Sequence, residues 1–402
     1  MKRLVCSMDG TWNDDEGGAS PQTNAAKLAS AVLPTDDRGV WQLVRFVVGK
    51  APSEEKRWAS LKAAAGLQIS ERIKAGYEFL RNTYEPGDEI YLFGVARGAY
   101  EARSLASFIA LFGIARKDAD FPIDEAWRVY GKSERRRKFD AVAELSAACH
   151  YPVRIRCIGA WETVGHAGNP NWPWAWLARR FSHHDLRWHD TIDVALHAVS
   201  IDETRGAFRP SMFTLPDDVV LPSHQRVEQA WFPGTHADVG GGSPESELSD
   251  VALLWMVEKI QSTTNLAIDI ARLERESRPD PLGVQHVCNT EWRSAFSRRV
   301  PYLRLVRQDA GGIPHRRRRA LRNWRTSKLG NGLISLNETI HHSALERFGQ
   351  TIREANGSRV HERIYEPSTL VAAVSATREE AAREEPAREK RALDEEVHIE
   401  NA

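Results

Sequence analysis

The sequence predicts an α/β fold in which a mainly parallel sheet is flanked by helices. Three observations predict it. Apolar runs of strand length alternate with helical patterns over most of residues 3–260. Several of those runs end in short clusters of polar residues and glycine, which is how strand ends look in open parallel sheets. The apolar run Glu89–Val95 passes through Gly94-Val95-Ala96-Arg97-Gly98 directly into a helical pattern, so strand and helix are joined by a very tight turn.

The elements follow in order. Residues 3–8 read as a strand that stops at Asp9-Gly10-Thr11, and residues 25–33 as a helix. Residues 40–48 alternate through Val44, Phe46 and Val48, the period of a second strand. Leu67, Ile69, Ile73, Tyr77 and Leu80 recur at helical spacing over 67–83, and Pro86-Gly87-Asp88 turns the chain into the strand before the tight turn. A helix follows from Ala99 to Phe112, and residues 122–147 hold two helices or one bent one. Val153–Ala160 is a strand ending at Trp161-Glu162-Thr163, and residues 192–200 are an apolar run closing at Asp202. Val227–Phe232 is a further strand, running into Thr235-His236-Ala237-Asp238 and three glycines, and Ser249–Ile260 is a helix. Beyond about 262 the pattern loosens.

These boundaries suggest a core over 1–262, a region packed on it over 263–370, and a charged tail over 371–402 whose Glu, Arg and Ala content predicts disorder or a frayed solvated helix. With 55 basic and 55 acidic residues the net charge is zero, which gives no footprint for a nucleic-acid partner. Four separated cysteines form no metal-type pair and fit a reduced, cytoplasmic chain. The basic start, Met1 to Cys6, meets Asp9 before an apolar stretch of leader length develops. A chain made in the cytoplasm is expected, and any export would use a leaderless secretion system.

The turn at 94–98 has the layout of the Gly-x-Ser-x-Gly nucleophile elbow of α/β-hydrolases, with Ala96 in the serine position. A methyl group cannot attack a carbonyl, so this form is expected to be inactive. Chain order then supplies partners: an acid at Glu162 or Asp202, and a base at His236, with His341 as an alternative base. Backbone N–H groups of Arg97 and of Gly10 or Thr11 are placed to serve as an oxyanion hole. Asp9 and Asp238 are further site candidates, each with a local role open to it in capping its own turn. Asp9, Asp14, Asp15, Glu16 and Asp238 offer oxygens to calcium, but no loop has the spacing of a calcium motif, and no cofactor or metal is expected.

Residues 166–190 form an insertion with Trp172, Trp174 and Trp176 in five residues, followed by Arg179, Arg180 and Trp188. Tryptophan beside arginine suits a membrane interface and equally suits a lid packed on its own core. The basic run over 315–325 allows contact with anionic head groups, or a plain solvated surface.

Longer motifs add to this reading. They are Asp9-Gly-Thr-Trp-Asn13, Pro21-Gln-Thr-Asn24, Pro86 through Gly94, Arg97-Gly-Ala-Tyr-Glu-Ala-Arg-Ser-Leu-Ala106, Gly159 through Gly165, Asp202-Glu-Thr-Arg205, Trp231 through Gly242, Leu248-Ser-Asp-Val-Ala252 and Ile340 through Arg347. In this order, over about residues 3–370, the chain resembles the type VI secretion phospholipase effector family of bacterial α/β-hydrolase-like proteins. The resemblance implies serine at position 96, a position 162 that is usually aspartate, and hydrolysis of ester bonds in glycerophospholipids by the serine form. It also implies a phospholipid or membrane surface as partner, with an immunity or inhibitor protein as another. Loss of the hydroxyl from an otherwise intact site reads as an inactivating substitution. A natural pseudoenzyme acting as a binding or regulatory protein, and an esterase on non-lipid esters, are the alternatives.

Overall fold

The structure is a computed structural model that describes residues 1–10, 21–49, 60–132, 139–165, 188–216, 218–287, 302–304, 306, 313–314, 333–356 and 359–371. Thr11, Asp14, Asp15, Glu16, residues 166–187 of the Trp-rich insertion, the whole 315–325 basic run and nearly all of the tail lie outside the described residues.

Seven strands form the central sheet: β1 (Arg3–Met8), β2 (Gln42–Val47), β3 (Glu89–Val95), β4 (Ile155–Trp161), β5 (Ile192–Ser200), β6 (Arg226–Phe232) and β7 (Glu338–Ile340). Their spatial order is β7-β6-β5-β4-β3-β1-β2, and every neighbouring pair is parallel. The helices are α1 (Asn24–Ala31), α2 (Ser60–Thr83), α3 (Arg97–Phe112), α4 (Ile123–Tyr130), α5 (Phe139–Ser146), α6 (His236–Gly240), α7 (Glu247–Thr263), α8 (Ile270–Glu276) and α9 (His342–Arg347).

The alternation of side chains along a strand puts two apolar layers on the sheet. Leu4, Cys6 and Met8 of β1 enter one cluster with Ile73 and Tyr77 of α2 and Leu105 of α3. Val5 of the same strand enters the other, with Leu28 of α1 and Met256 and Ile260 of α7. Leu4, Val5 and Cys6 are fully buried in these layers, and each fully buried side chain of this size contributes roughly 1.5–3 kcal/mol. The helical stretch over 122–147 is two helices, α4 and α5. The apolar run over 192–200 is β5, a central strand, buried in eight of its nine residues.

The loosened region after 262 supplies the edge strand β7, paired with β6 through Thr339 opposite Ala230. It also forms a small three-stranded sheet from Gln285–His286, Thr351–Asn356 and Arg359–Ile364. Only three residues of β7 carry ladder bonds, too short a run for alternation to reveal.

The strand order reverses between β1 and β3, because β2 lies on one side of β1 and β3 on the other. Such a switch point opens a crevice at the carboxyl ends of the two strands. Asp9 follows β1 there, and Ala96 follows β3.

Candidate active site

The turn after β3 is held by backbone contacts. The Ala96 N–H donates to the Trp161 carbonyl at 2.9 Å, and the Ala96 carbonyl accepts from Val164 N–H at 3.3 Å. Ala96 itself adopts φ 56° and ψ −115°, a region that an L side chain enters at a cost of order 1–3 kcal/mol. The two flanking glycines are required by contact. A Cβ on Gly98 would sit 2.1 Å from the Met8 carbonyl oxygen, and one on Gly94 would sit 2.4 Å from the Gly98 carbonyl. The start of α3 is therefore pressed onto the ends of β1 and β3, and Ala96 stands at its tip, half-buried.

The register of β3 against β4 pairs Val95 with Trp161. Glu162 is thus the neighbour of Ala96 across the sheet end, and it too has a positive φ, 52°. Its carboxylate is fully buried and fully used. Oε1 accepts from the Ser200 N–H at 2.6 Å and from Arg304 Nη1 at 2.7 Å. Oε2 accepts from Arg304 Nη2 at 3.0 Å and meets His236 Nδ1 at 2.8 Å. Burial alone would raise its pKa, but the Arg304 guanidinium, with help from His236, holds the group well below the usual carboxylate range.

His236 opens α6, and its ring stacks edge-on against Phe208 at 4.8 Å. Its backbone N–H points at Glu203 Oε2, 3.4 Å away. With Nδ1 on Glu162, Nε2 has no hydrogen-bond partner among the described residues. The other end of α6 touches the elbow strand, since a Cβ on Gly240 would meet Val95 Cγ1 at 2.8 Å.

Other sequence candidates lie elsewhere. Asp202 does not reach His236: its Oδ2 accepts from Gly234 N–H at 2.7 Å and from the Tyr365 hydroxyl at 2.8 Å, and burial pushes its carboxyl up to about 6. Asp238 caps its own helix, accepting from Thr235 N–H at 2.8 Å, and binds His286 Nδ1 at 2.6 Å. His341 caps α9 through Nδ1, which accepts from Ser343 N–H, and stacks on Phe232 at 4.5 Å. Burial lowers its pKa to about 4. Asp9 accepts from Thr23 Oγ1 at 2.6 Å and from the Gly10 N–H at 2.7 Å, so that amide has a local acceptor. Thr11 is outside the described residues. Arg97 is the first residue of α3. Among the described residues no group of three or more His, Cys, Asp or Glu is placed to hold a metal. Asp9 and Asp238, the described members of the calcium set, are committed to different loops.

Three residues at this end of the sheet escape sequence reasoning. Arg304 lies in a stretch without periodicity. His197 sits within the apolar run of β5, accepting from Thr163 N–H at 3.2 Å beneath the Glu162 turn, with Gln229 on its other nitrogen. Burial lowers its pKa to about 3, so it is neutral. Glu101, one turn into α3, is buried 3.1 Å from Arg72 Nη2, and burial pushes it up to about 8 despite that cation. A polar residue inside an apolar run is the one local signal that could have marked His197.

A family model for the catalytic domain of type VI secretion phospholipase effectors, Tle1-like, matches residues 2–259. An uncharacterized protein of Saccharomyces cerevisiae, YEL023C, is 28% identical over 233 residues, covering 53% of this chain and 33% of its own. The chain thus spans about a third of the length of that relative. An uncharacterized protein from Pseudomonas aeruginosa is similar in structure with a TM-score of 0.41 and 18% identity, over 69% of this chain and 49% of its own. The Tle1 effector bound to the VgrG spike of the type VI secretion system gives 0.38 and 14%, over 61% of this chain and 52% of its own.

Proposed function

This chain belongs to the Tle1-like phospholipase effector family of type VI secretion, and from that premise we propose that it is a serine-esterase scaffold for ester bonds of glycerophospholipids, present here without its nucleophile. The observation that carries the proposal is the backbone of Ala96. A methyl-bearing residue held at φ 56° between two glycines gains nothing from that conformation itself. The strain makes sense where a side chain at 96 must be presented at the tip of the turn.

In the serine form the hydroxyl oxygen attacks the ester carbonyl as its proton passes to His236 Nε2. Glu162 holds the Nδ1–H tautomer and faces the imidazolium that forms. Negative charge on the carbonyl oxygen is met by the Arg97 N–H at the start of α3. The imidazolium then gives its proton to the departing alcohol. Water, deprotonated by the same ring, releases the fatty acid from the acyl-serine. Delivery by the type VI apparatus to a phospholipid surface is part of the same proposal, as is an inhibitor protein that blocks the site. Among the described residues no helix is long and apolar enough to cross a membrane.

The test is A96S, assayed for fatty-acid release from phospholipid vesicles with and without calcium. Release above the alanine form is expected; none across several lipid classes would remove the proposal. A second reading, a binding or regulatory protein built on an inactive pocket, is favoured by Ala96 itself. It predicts that A96S stays silent while the alanine form binds lipid or a protein partner. Release from short-chain esters alone would favour a non-lipid esterase.

A further inference from the structure

Glu162, Asp202 and Asp238, the acidic candidates that follow β4, β5 and β6, are each met by a residue from beyond position 262. Tyr365 donates to Asp202 at 2.8 Å, and His286 Nδ1 lies 2.6 Å from Asp238. Arg304 grips Glu162, the acid that touches His236. Its side chain is 1% exposed. Nη1 reaches Glu162 Oε1 at 2.7 Å, the Ser200 carbonyl at 2.8 Å and the Ser200 hydroxyl at 2.6 Å. Nη2 reaches Glu162 Oε2 at 3.0 Å and the Phe208 carbonyl. The Thr369 hydroxyl donates to the Arg304 carbonyl at 2.6 Å, which ties the segment in place. Arg304 lies outside the 2–259 span that the family model matches.

We propose that Arg304 is a positioning residue of the esterase site, its planar fork fixing the Glu162 carboxylate so that Oε2 meets His236 and its charge moderating how firmly that acid holds a proton on the ring. This rests on the serine-esterase reading above. A carboxylate on a flexible stem has one torsion that turns both oxygens. Two parallel N–H···O bonds fix that torsion, and a point charge does not. The Ser200 N–H pins Oε1 from the other side, which leaves Oε2 to bridge Arg304 and His236.

The charged groups facing His236 are Glu162 at the end of β4, Glu203 after β5 with its own partner Arg205, and Arg304. Without Arg304 the balance around the ring becomes more negative. The imidazolium is then favoured, and neutral His236, the form that accepts the serine proton, is reached only at higher pH. Loss of the cation alone would move that titration, so the variant that tells a positioning fork from a mere ion pair is R304K, which keeps the charge and loses the fork.

The full chain in its alanine form is measured first, by NMR titration of the His236 ring, for R304Q and R304K against the parent. The expected result is an upward move of the midpoint in R304Q. In R304K, which keeps the charge and loses the fork, the midpoint stays near the parent value while the Nδ1 proton signal exchanges faster. In the A96S background R304Q is expected to lower kcat on phosphatidylcholine vesicles by about 10–100-fold with KM little changed. The acid limb of its kcat profile shifts to higher pH. R304K should lower kcat without moving that limb. A folded R304Q whose ring titrates as the parent does overturns the proposal. If R304Q does not fold, R304K decides, and an unchanged Nδ1 signal overturns it. If A96S releases no fatty acid from any lipid, the esterase reading fails, and the ring measurements still judge Arg304 as the group that orients Glu162.

Discussion

Glu162 Oε2 lies 2.8 Å from His236 Nδ1, a contact between residues 74 positions apart. It spans the end of β5, whose own acid, Asp202, does not take part. Glu162 wins the histidine because its positive φ turns the chain at the end of β4, and because Ser200 and Arg304 fix its carboxylate. Asp202 is drawn away by the Gly234 amide and Tyr365.

That difference separates the two acids in an assay. In the A96S background, E162Q should lower kcat/KM by about 10²–10⁴-fold, because the imidazole loses both its tautomer control and its counter-charge. D202N should stay within about tenfold. Fatty-acid release from vesicles by the two variants checks this, and the reverse ranking would make Asp202 the acid.

Much of this was legible in the sequence, for a physical reason. Parallel strands buried on both faces read as apolar runs, and glycines where a Cβ would fall within 2.4 Å of backbone atoms cannot be exchanged for other residues. The tight turn and the strand-end acids and histidine therefore stand out. Asp9 could likewise be read as the cap of its own turn. Partners across long sequence distances could not be read. Arg304 meets Glu162 over a separation of 142 residues, from a stretch with no periodicity. Asp238 pairs with His286, and nothing within either local sequence signals the other. The choice between Glu162 and Asp202 likewise depended on Tyr365, 163 residues from Asp202.

Gly98 should tolerate no side chain. The atoms that a Cβ would meet are the Met8 and Asp9 backbone, at 2.1 and 2.7 Å, and these cannot step aside as a flexible side chain can. G98A is expected to cost on the order of 3 kcal/mol or more. Urea unfolding monitored by circular dichroism checks this, and a loss below about 1 kcal/mol would mean that the turn is not so tightly seated.

Asp202 should make stability depend on pH below neutrality. Burial raises its pKa from 3.8 to about 6, so the native state holds the proton more tightly than the unfolded chain does. The stability this gives is complete below pH 3.8 and is lost as pH rises through about 6. D202N keeps an oxygen for Gly234 and Tyr365 and carries no charge to desolvate. It should therefore gain on the parent by about 1–2 kcal/mol at pH 8 relative to pH 4, after allowing for partial solvent screening. Paired denaturant titrations at the two pH values check the difference.

His286 should act in a higher window. Hydrogen bonding to Asp238 at 2.6 Å is the main cause that raises its pKa from 6.5 to about 9, with Glu245 at 2.9 Å on the other nitrogen. The folded protein thus binds this proton more tightly than the unfolded chain, and the resulting stability is complete below pH 6.5 and lost as pH rises through about 9. Glu245 is 48% exposed, so solvent screens part of the effect, and H286Q is expected to cost about 1–2 kcal/mol at pH 6. The cost should shrink toward pH 9.5, where the parent has lost the same charge. Asp238 also caps the helix that begins with His236, so the residual cost at high pH measures how much that cap needs a neighbour at all. Thermal unfolding of both forms at pH 6, 8 and 9.5 checks the trend, and a cost that does not vary with pH would mean that His286 is held by packing rather than by charge.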